Sequence, residues 1–179
     1  YHSYEVMNQH VSFLFTSLLT DDCIARGKAL LDGGVRYLGG TNETYGNINT
    51  SDSLWVIRDL VFNQKKYTLR QLNDAMLANF NGYEALRKDC LNCDKYGNDL
   101  ETADTMANDL YEFVAKGVRD RGIAIGMQYF LIVISNNQLN TEWGNRTAAS
   151  PDGRLSCMYM KPANNPQGGA NKSGPTAML

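Results

Sequence analysis

Apolar positions along this chain fall into helix-spaced stripes divided by polar, glycine-bearing breaks, with one continuous apolar run near residue 130. Leu54, Ile57, Leu60 and Val61 recur at helical spacing behind a capping Thr50 or Ser51, with Asp52 in the first turn, where the helix dipole favours a carboxylate. Leu69, Leu72, Met76, Leu77 and Phe80 repeat at three and four residues after a second cap, Thr68, and Asn81-Gly82 ends that stripe. A short helix is predicted from Tyr83 to about Leu91. The longest runs from about Leu100 to Asp120, with Met106, Leu110, Phe113 and Val114 inward and Gly122 as its stop. Nearer the start, Asp21 or Asp22 caps a helix reaching Leu31, halted by Gly33-Gly34.

Two stretches read as strands. Val35 to Leu38 is a short one, followed by a polar, turn-rich connection from Gly39 to Asn49. Ile123 to Ser135 (IAIGMQYFLIVIS) is too continuous for a surface strand, so it is predicted to be buried on both faces, in a sheet covered by helices. Helix-dominated connections between short apolar strands give an α/β class.

The tail, Thr147 to Ala177, holds all four prolines of the chain, interleaved with Gly153, Gly168, Gly169 and Gly174, so neither a helix nor a central strand runs through it. Ser150-Pro151-Asp152-Gly153 has the chemistry of a tight turn, and Arg154 follows as a planar fork suited to tying carbonyls or a carboxylate together. Leu155, Met158, Tyr159 and Met160 supply the apolar contacts of an ordered loop.

Composition narrows the chemistry. A chain of 179 residues, 43% hydrophobic and 20% charged, is globular, and a net charge of −2 leaves no footprint for nucleic acid. The longest apolar run is interrupted by Gly126 and Gln128 and is too short to span a bilayer, so no membrane partner is expected. Cys23, Cys90, Cys93 and Cys157 read as reduced thiols in a cytoplasmic protein. Cys90 and Cys93 have C-x-x-C spacing but no second pair of ligands, and His2 and His10 lack a nucleophile elbow. Asp21-Asp22, and Asp99 with Glu101 and Asp104, sit where helix dipoles alone call for carboxylates. The residues give no complete catalytic set and no metal site.

Four separated stretches carry a resemblance. They are Asp22-Cys-Ile-Ala-Arg-Gly-Lys28 running into Gly33-Gly-Val-Arg-Tyr37; Gly46 with Ser51-Asp-Ser-Leu54; Lys95-Tyr-Gly-Asn-Asp99; and Ser150-Pro-Asp-Gly-Arg154 with Lys172-Ser-Gly-Pro-Thr-Ala177. In order and spacing the chain resembles a segment of a glycyl radical enzyme of the pyruvate formate-lyase-like family. The resemblance implies an α/β fold that is part of a helix-wrapped, ten-stranded barrel, with residues 1–179 as one partial domain carrying the ordered loop 147–177. It implies an anaerobic enzyme that cleaves a C–C, C–O or C–N bond of a small organic substrate, as a formate acetyltransferase (a transferase) or as an eliminase (a lyase). The alternative is a non-catalytic scaffold module. The family's thiyl cysteine, in Gly-Cys-x-Glu or Cys-Cys, and its radical glycine, in Arg-Val-x-Gly, match nothing here. They are expected before Tyr1 and beyond Leu179, so no catalytic residue is assigned and the segment alone is expected to be inactive. The implied partners are the rest of the barrel, a second subunit in a homodimer, and an activase that installs the radical with S-adenosylmethionine and an iron–sulfur cluster. The segment itself is expected to bind no cofactor. Where the family often has Val-Ala-Asp-Ser this chain has Asn49-Thr-Ser-Asp-Ser53, beside a strand end.

Substrate-pocket candidates come from polar groups that follow strands without an obvious capping duty. Ser135 closes the long apolar run, and Asn47 and Asn49 lie in the amide-rich loop before the Ser51 helix.

Overall fold

Thr68 and Gln71 close a capping box: Thr68 Oγ1 accepts from the Gln71 N–H at 3.1 Å, and Gln71 Oε1 accepts from the Thr68 N–H at 2.8 Å. The computed structural model describes residues 2–11, 13–134, 137–160 and 165–178, without the side chains of 132–134, 137 and 138. In chain order its elements are α1 (His2–His10), α2 (Leu14–Leu19), α3 (Cys23–Arg26), β1 (Gly39–Thr44), α4 (Asn47–Val56), α5 (Leu69–Leu77), α6 (Glu84–Asn92), α7 (Glu101–Ala124), β2 (Tyr129–Ile134) and α8 (Asn137–Asn145). Wide π-type turns follow α3 at Leu30–Gly34 and extend α4 over Ile57–Asn63, and a 3₁₀ turn lies at Pro175–Met178. The contacts divide into two compact units, Tyr1–Asn42 with Val114–Val133, and Glu43–Phe113 with Ile134–Leu179.

The first unit holds the pairing of β1 with β2. The strand expected at Val35 to Leu38 lies instead at Gly39–Thr44, inside the stretch that reads as a loop. Packing decides this. A Cβ on Gly40 would lie 2.7 Å from Phe130 Cζ and one on Gly122 2.6 Å from Phe130 Cδ2, while Gly39 makes room for the Tyr129 ring. Glycines that look like turn formers are therefore the bed on which the aromatic rings of β2 rest. The apolar run is also divided: Ile123 and Ala124 finish α7, which overruns Gly122, and Gly126 turns the chain at φ +88° before β2 begins. Tyr129 and Leu131 are exposed in this chain, as are Leu14, Phe15, Leu18, Leu19 and Ile24 around α2 and α3.

The second unit has the larger core, with Val56 and Leu60 from the α4 helix, Leu72 and Ala75 from α5, Phe80, and Leu86 and Cys90 from α6. Leu155 of the tail packs against it. The stripe on α5 is narrower than its spacing suggests, since Leu69 and Leu77 are 51% and 80% exposed. Asn79 and Phe80 both take left-handed φ (+51° and +60°) just past the helix, and Phe80 is buried in the core. On α7 the buried positions are Ala103, Ala107 and Gly122, and Phe113, expected inward, is 76% exposed.

Candidate functional site

The first turns of α4 carry a polar face. Gly46 takes φ +69° and starts the helix at Asn47, so Asn47 and Asn49 belong to α4 itself and not to a loop ahead of it. Asn47 Nδ2 donates to Thr44 Oγ1 at 2.9 Å. Asn49, Ser51, Asp52 and Ser53 are all buried, an unusual concentration for a helix that also packs into an apolar core. Their partners lie far along the chain. Asn49 Nδ2 donates to Asp152 Oδ2 at 2.8 Å and to Gln167 Oε1 at 3.0 Å. Ser53 Oγ accepts from the Asp152 N–H at 3.3 Å, and Asp52 Oδ1 accepts from the Tyr96 N–H at 2.9 Å.

The tail folds around charged and amide side chains. In the turn, Ser150 Oγ donates to Asp152 Oδ1 at 2.5 Å and the Gly153 N–H closes onto the Ser150 carbonyl at 3.0 Å. Arg154 works as the carbonyl tie that its fork suggests: Nη1 donates to the carbonyls of Met158 (2.8 Å) and Leu155 (3.2 Å), Nη2 to that of Ala148, and Nε to Ser150 Oγ (3.2 Å). Asn98 does the same further on, donating to the carbonyls of Lys95 (3.0 Å) and Ala170 (2.9 Å) and accepting from the N–H groups of Lys172 (2.7 Å) and Ser173 (3.2 Å). Asn171 ties Gly97 to Gly174. Three of the four resemblance stretches thus meet in one polar knot.

A cavity of about 280 Å³ opens beside the knot, lined by Asp52, Arg87, Lys95, Asp152, Arg154 and Lys172 together with the Gly168-Gly169-Ala170 backbone. Burial pushes the Asp52 carboxyl up to about 7, against the pull of the Tyr96 N–H and the nearby Lys95 charge. Its Oδ2 is buried with no hydrogen-bond partner. Lys95 is buried too, its ammonium donating to the carbonyls of Cys90 (2.6 Å) and Cys93 (3.1 Å), and burial draws its pKa down. The C-x-x-C pair is made inert by the same apolar surroundings, which push the thiols of Cys90 and Cys93 up to about 12 and about 11. All four cysteines are free, and no group of three His, Cys, Asp or Glu able to hold a metal occurs among the described residues.

Of the three candidates for a substrate pocket, Asn49 joins the knot, Asn47 sits beside it on α4, and Ser135 lies outside the described residues. Sequence reasoning passed over Asp52, Lys95 and Asn98. Asp52 reads as a dipole residue and Lys95 to Asp99 only as part of the resemblance, and nothing local to either announces a partner 44 residues away.

Residues 1–139 match the family described as Pyruvate formate lyase-like. The chain belongs to this family. Among relatives of this pyruvate formate lyase-like chain, trans-4-hydroxy-L-proline dehydratase of Clostridioides difficile is 32% identical over 172 residues, covering 96% of the chain and 22% of that protein. Isethionate sulfite-lyase of Bilophila wadsworthia is 31% identical, covering 96% of the chain and 20% of that protein. The solved structure of the B12-independent glycerol dehydratase of Clostridium butyricum, in its glycerol-bound form, superposes with a TM-score of 0.90 at 29% identity, over 97% of the chain and 22% of that structure. The chain therefore spans about a fifth of the length of the relatives it matches. Its fold is that of a segment of the helix-wrapped α/β barrel of glycyl radical enzymes.

Proposed function

We propose that this pyruvate formate lyase-like chain is the part of an anaerobic glycyl radical eliminase, a lyase, that presents its long tail as an ordered wall, the remainder of the barrel supplying the thiyl cysteine and the radical glycine. The substrate class is a small polar organic molecule that loses a hydroxyl or an equivalent leaving group. The names of the three relatives above support this, two being dehydratases and one a sulfite-lyase. They favour an eliminase over a formate acetyltransferase. A radical on a backbone Cα, installed by a separate activase using S-adenosylmethionine and an iron–sulfur cluster, supplies the hydrogen-abstraction chemistry. This segment's share is binding and exclusion of water and oxygen, in an enzyme read as a cytoplasmic homodimer.

The observation that carries the reading is the knot itself. Distant stretches bury Asn49, Ser53, Asn98, Asp152 and Arg154 to hold a loop without regular structure, and a wall that excludes oxygen must be held in this way. A scaffold module without radical chemistry has no such requirement.

Asn47, Asn49 and Ser135 are the candidates for substrate contact. In the complete, activated enzyme each alanine variant is expected to lower turnover, by about tenfold where a substrate hydrogen bond is lost, with the spin-counted radical unchanged. Unchanged turnover in all three variants removes them from the pocket.

A further inference from the structure

The cavity in the second unit is ringed by four cations that its two carboxylates only partly balance. Arg87, Lys95, Arg154 and Lys172 line it, and none forms an ion pair with a carboxylate among the described residues. Arg154 and Lys95 are 3% and 6% exposed, and their hydrogen-bond partners are carbonyls and a hydroxyl, all neutral. Among the described residues Arg87 engages only Nε, with the Gly153 carbonyl at 2.9 Å, which leaves its Nη edge uncommitted there. The Lys172 side chain is exposed and makes no hydrogen bond or ion pair among the described residues, and the third N–H of Lys95 is likewise unused there.

Two carboxylates share the lining, and they offset only part of the charge of the four cations, Asp152 acting on Arg154 and Lys95. Asp152 already receives Ser150 Oγ, the Arg154 N–H and Asn49 Nδ2. Asp52 is held towards its neutral acid by burial. Burying cations against neutral partners alone is costly, and an anion in the cavity removes that cost. Gly168 and Gly169 form part of the wall without side chains, Gly169 at φ +79°, which leaves open space above the backbone. At about 280 Å³ the cavity sits near the lower end of ligand pockets, about 300–1,000 Å³, a size suited to a small ion or a short organic acid.

We propose that this cavity binds a small oxyanion, a phosphate, sulfonate or carboxylate group, with the Nη edge of Arg87 and the Lys95 and Lys172 ammonium groups as its charged contacts. This site stands on its geometry and charge, whatever reaction the enzyme performs.

Calorimetric titration of the full-length protein with inorganic phosphate, sulfate and acetate, at constant ionic strength in chloride, tests it. Saturable binding of at least one anion is expected, with a Kd of about 1 mM or tighter. Arg87→Gln and Lys172→Gln should each weaken it roughly tenfold, as loss of a charge-assisted contact does. Lys116→Gln, on the exposed surface of α7, should leave it unchanged. Because the Lys172 side chain makes no hydrogen bond, its variant reports on the anion and not on the fold. Preference for phosphate or sulfate assigns a tetrahedral group, and preference for acetate a carboxylate. No saturable binding by any of the three, or binding that both cavity variants leave intact, or that Lys116→Gln weakens equally, overturns the proposal.

Discussion

Asp52 is the residue on which sequence and structure part most clearly. In the sequence it sits in the first turn of a helix, where a carboxylate needs no further reason; in the structure it is 1% exposed, accepts the Tyr96 N–H, and leaves Oδ2 unpartnered. With its pKa raised from 3.8 to about 7, the native state holds this proton more tightly than the unfolded chain does. The stability that follows is complete below pH 3.8, is lost as pH rises to about 7, and is flat beyond it, the reverse of an ordinary paired carboxylate. Asp52→Asn keeps the acceptor for Tyr96 and removes the titration. Urea unfolding of the two proteins across that pH range should show the wild type losing on the order of 4 kcal/mol relative to the variant; parallel curves would contradict the burial of this carboxyl. Arg154 is the opposite case. Its role as a tie between carbonyls was legible, because a guanidinium just after a Pro-Asp-Gly turn has only nearby backbone to reach, whereas the partners of Asp52, Lys95 and Asn98 depend on where distant loops return.

Among the elements, the central helices announced themselves through spacing and caps and β2 through its apolar run, whereas β1 did not. Thr68 with Gln71 is a local signal, complete within four residues, and α5 begins where it says. β1 gives the reverse signal, since Gly39 and Gly40 look like a turn until the rings of Tyr129 and Phe130 are placed over them. Only pairing with β2 supplies that information, and β2 lies some ninety residues on. Gly40→Ala is expected to cost about 2 kcal/mol, since the added methyl meets the Phe130 ring at 2.7 Å. Phe130→Leu in the same chain should recover part of the loss. Chemical denaturation of the single and double variants measures the coupling, and additive effects would show that the ring does not rest on the glycine. Exposure of Leu69 and Leu77 shows the same limit on the helix side: spacing finds a stripe, while the left-handed turn at Asn79 and Phe80 decides how much of it is covered.

For the whole molecule, the resemblance in the four stretches, two of them loops, was the most informative feature of the sequence, and the family match and the superposition at TM-score 0.90 agree with it. Loops carry such a signal because each turn, tie and close approach admits few residue types, as Gly97 at φ +83° against Pro166 and Asn98 across the tail illustrate. The apolar stripes, by contrast, fit many α/β folds equally well. What no reading of one segment supplies is the radical machinery that the account assigns to the rest of the protein. The most direct test is electron paramagnetic resonance of the full-length protein, kept free of oxygen and incubated with its activase and S-adenosylmethionine. The expected result is an organic radical whose signal is a doublet, split by the one hydrogen left on a glycine Cα, accompanied by elimination from a small hydroxylated substrate. A fully folded protein that never develops that doublet, and whose reading frame holds no Arg-Val-x-Gly, would contradict the assignment to a radical enzyme and leave the knot as the framework of a non-catalytic module.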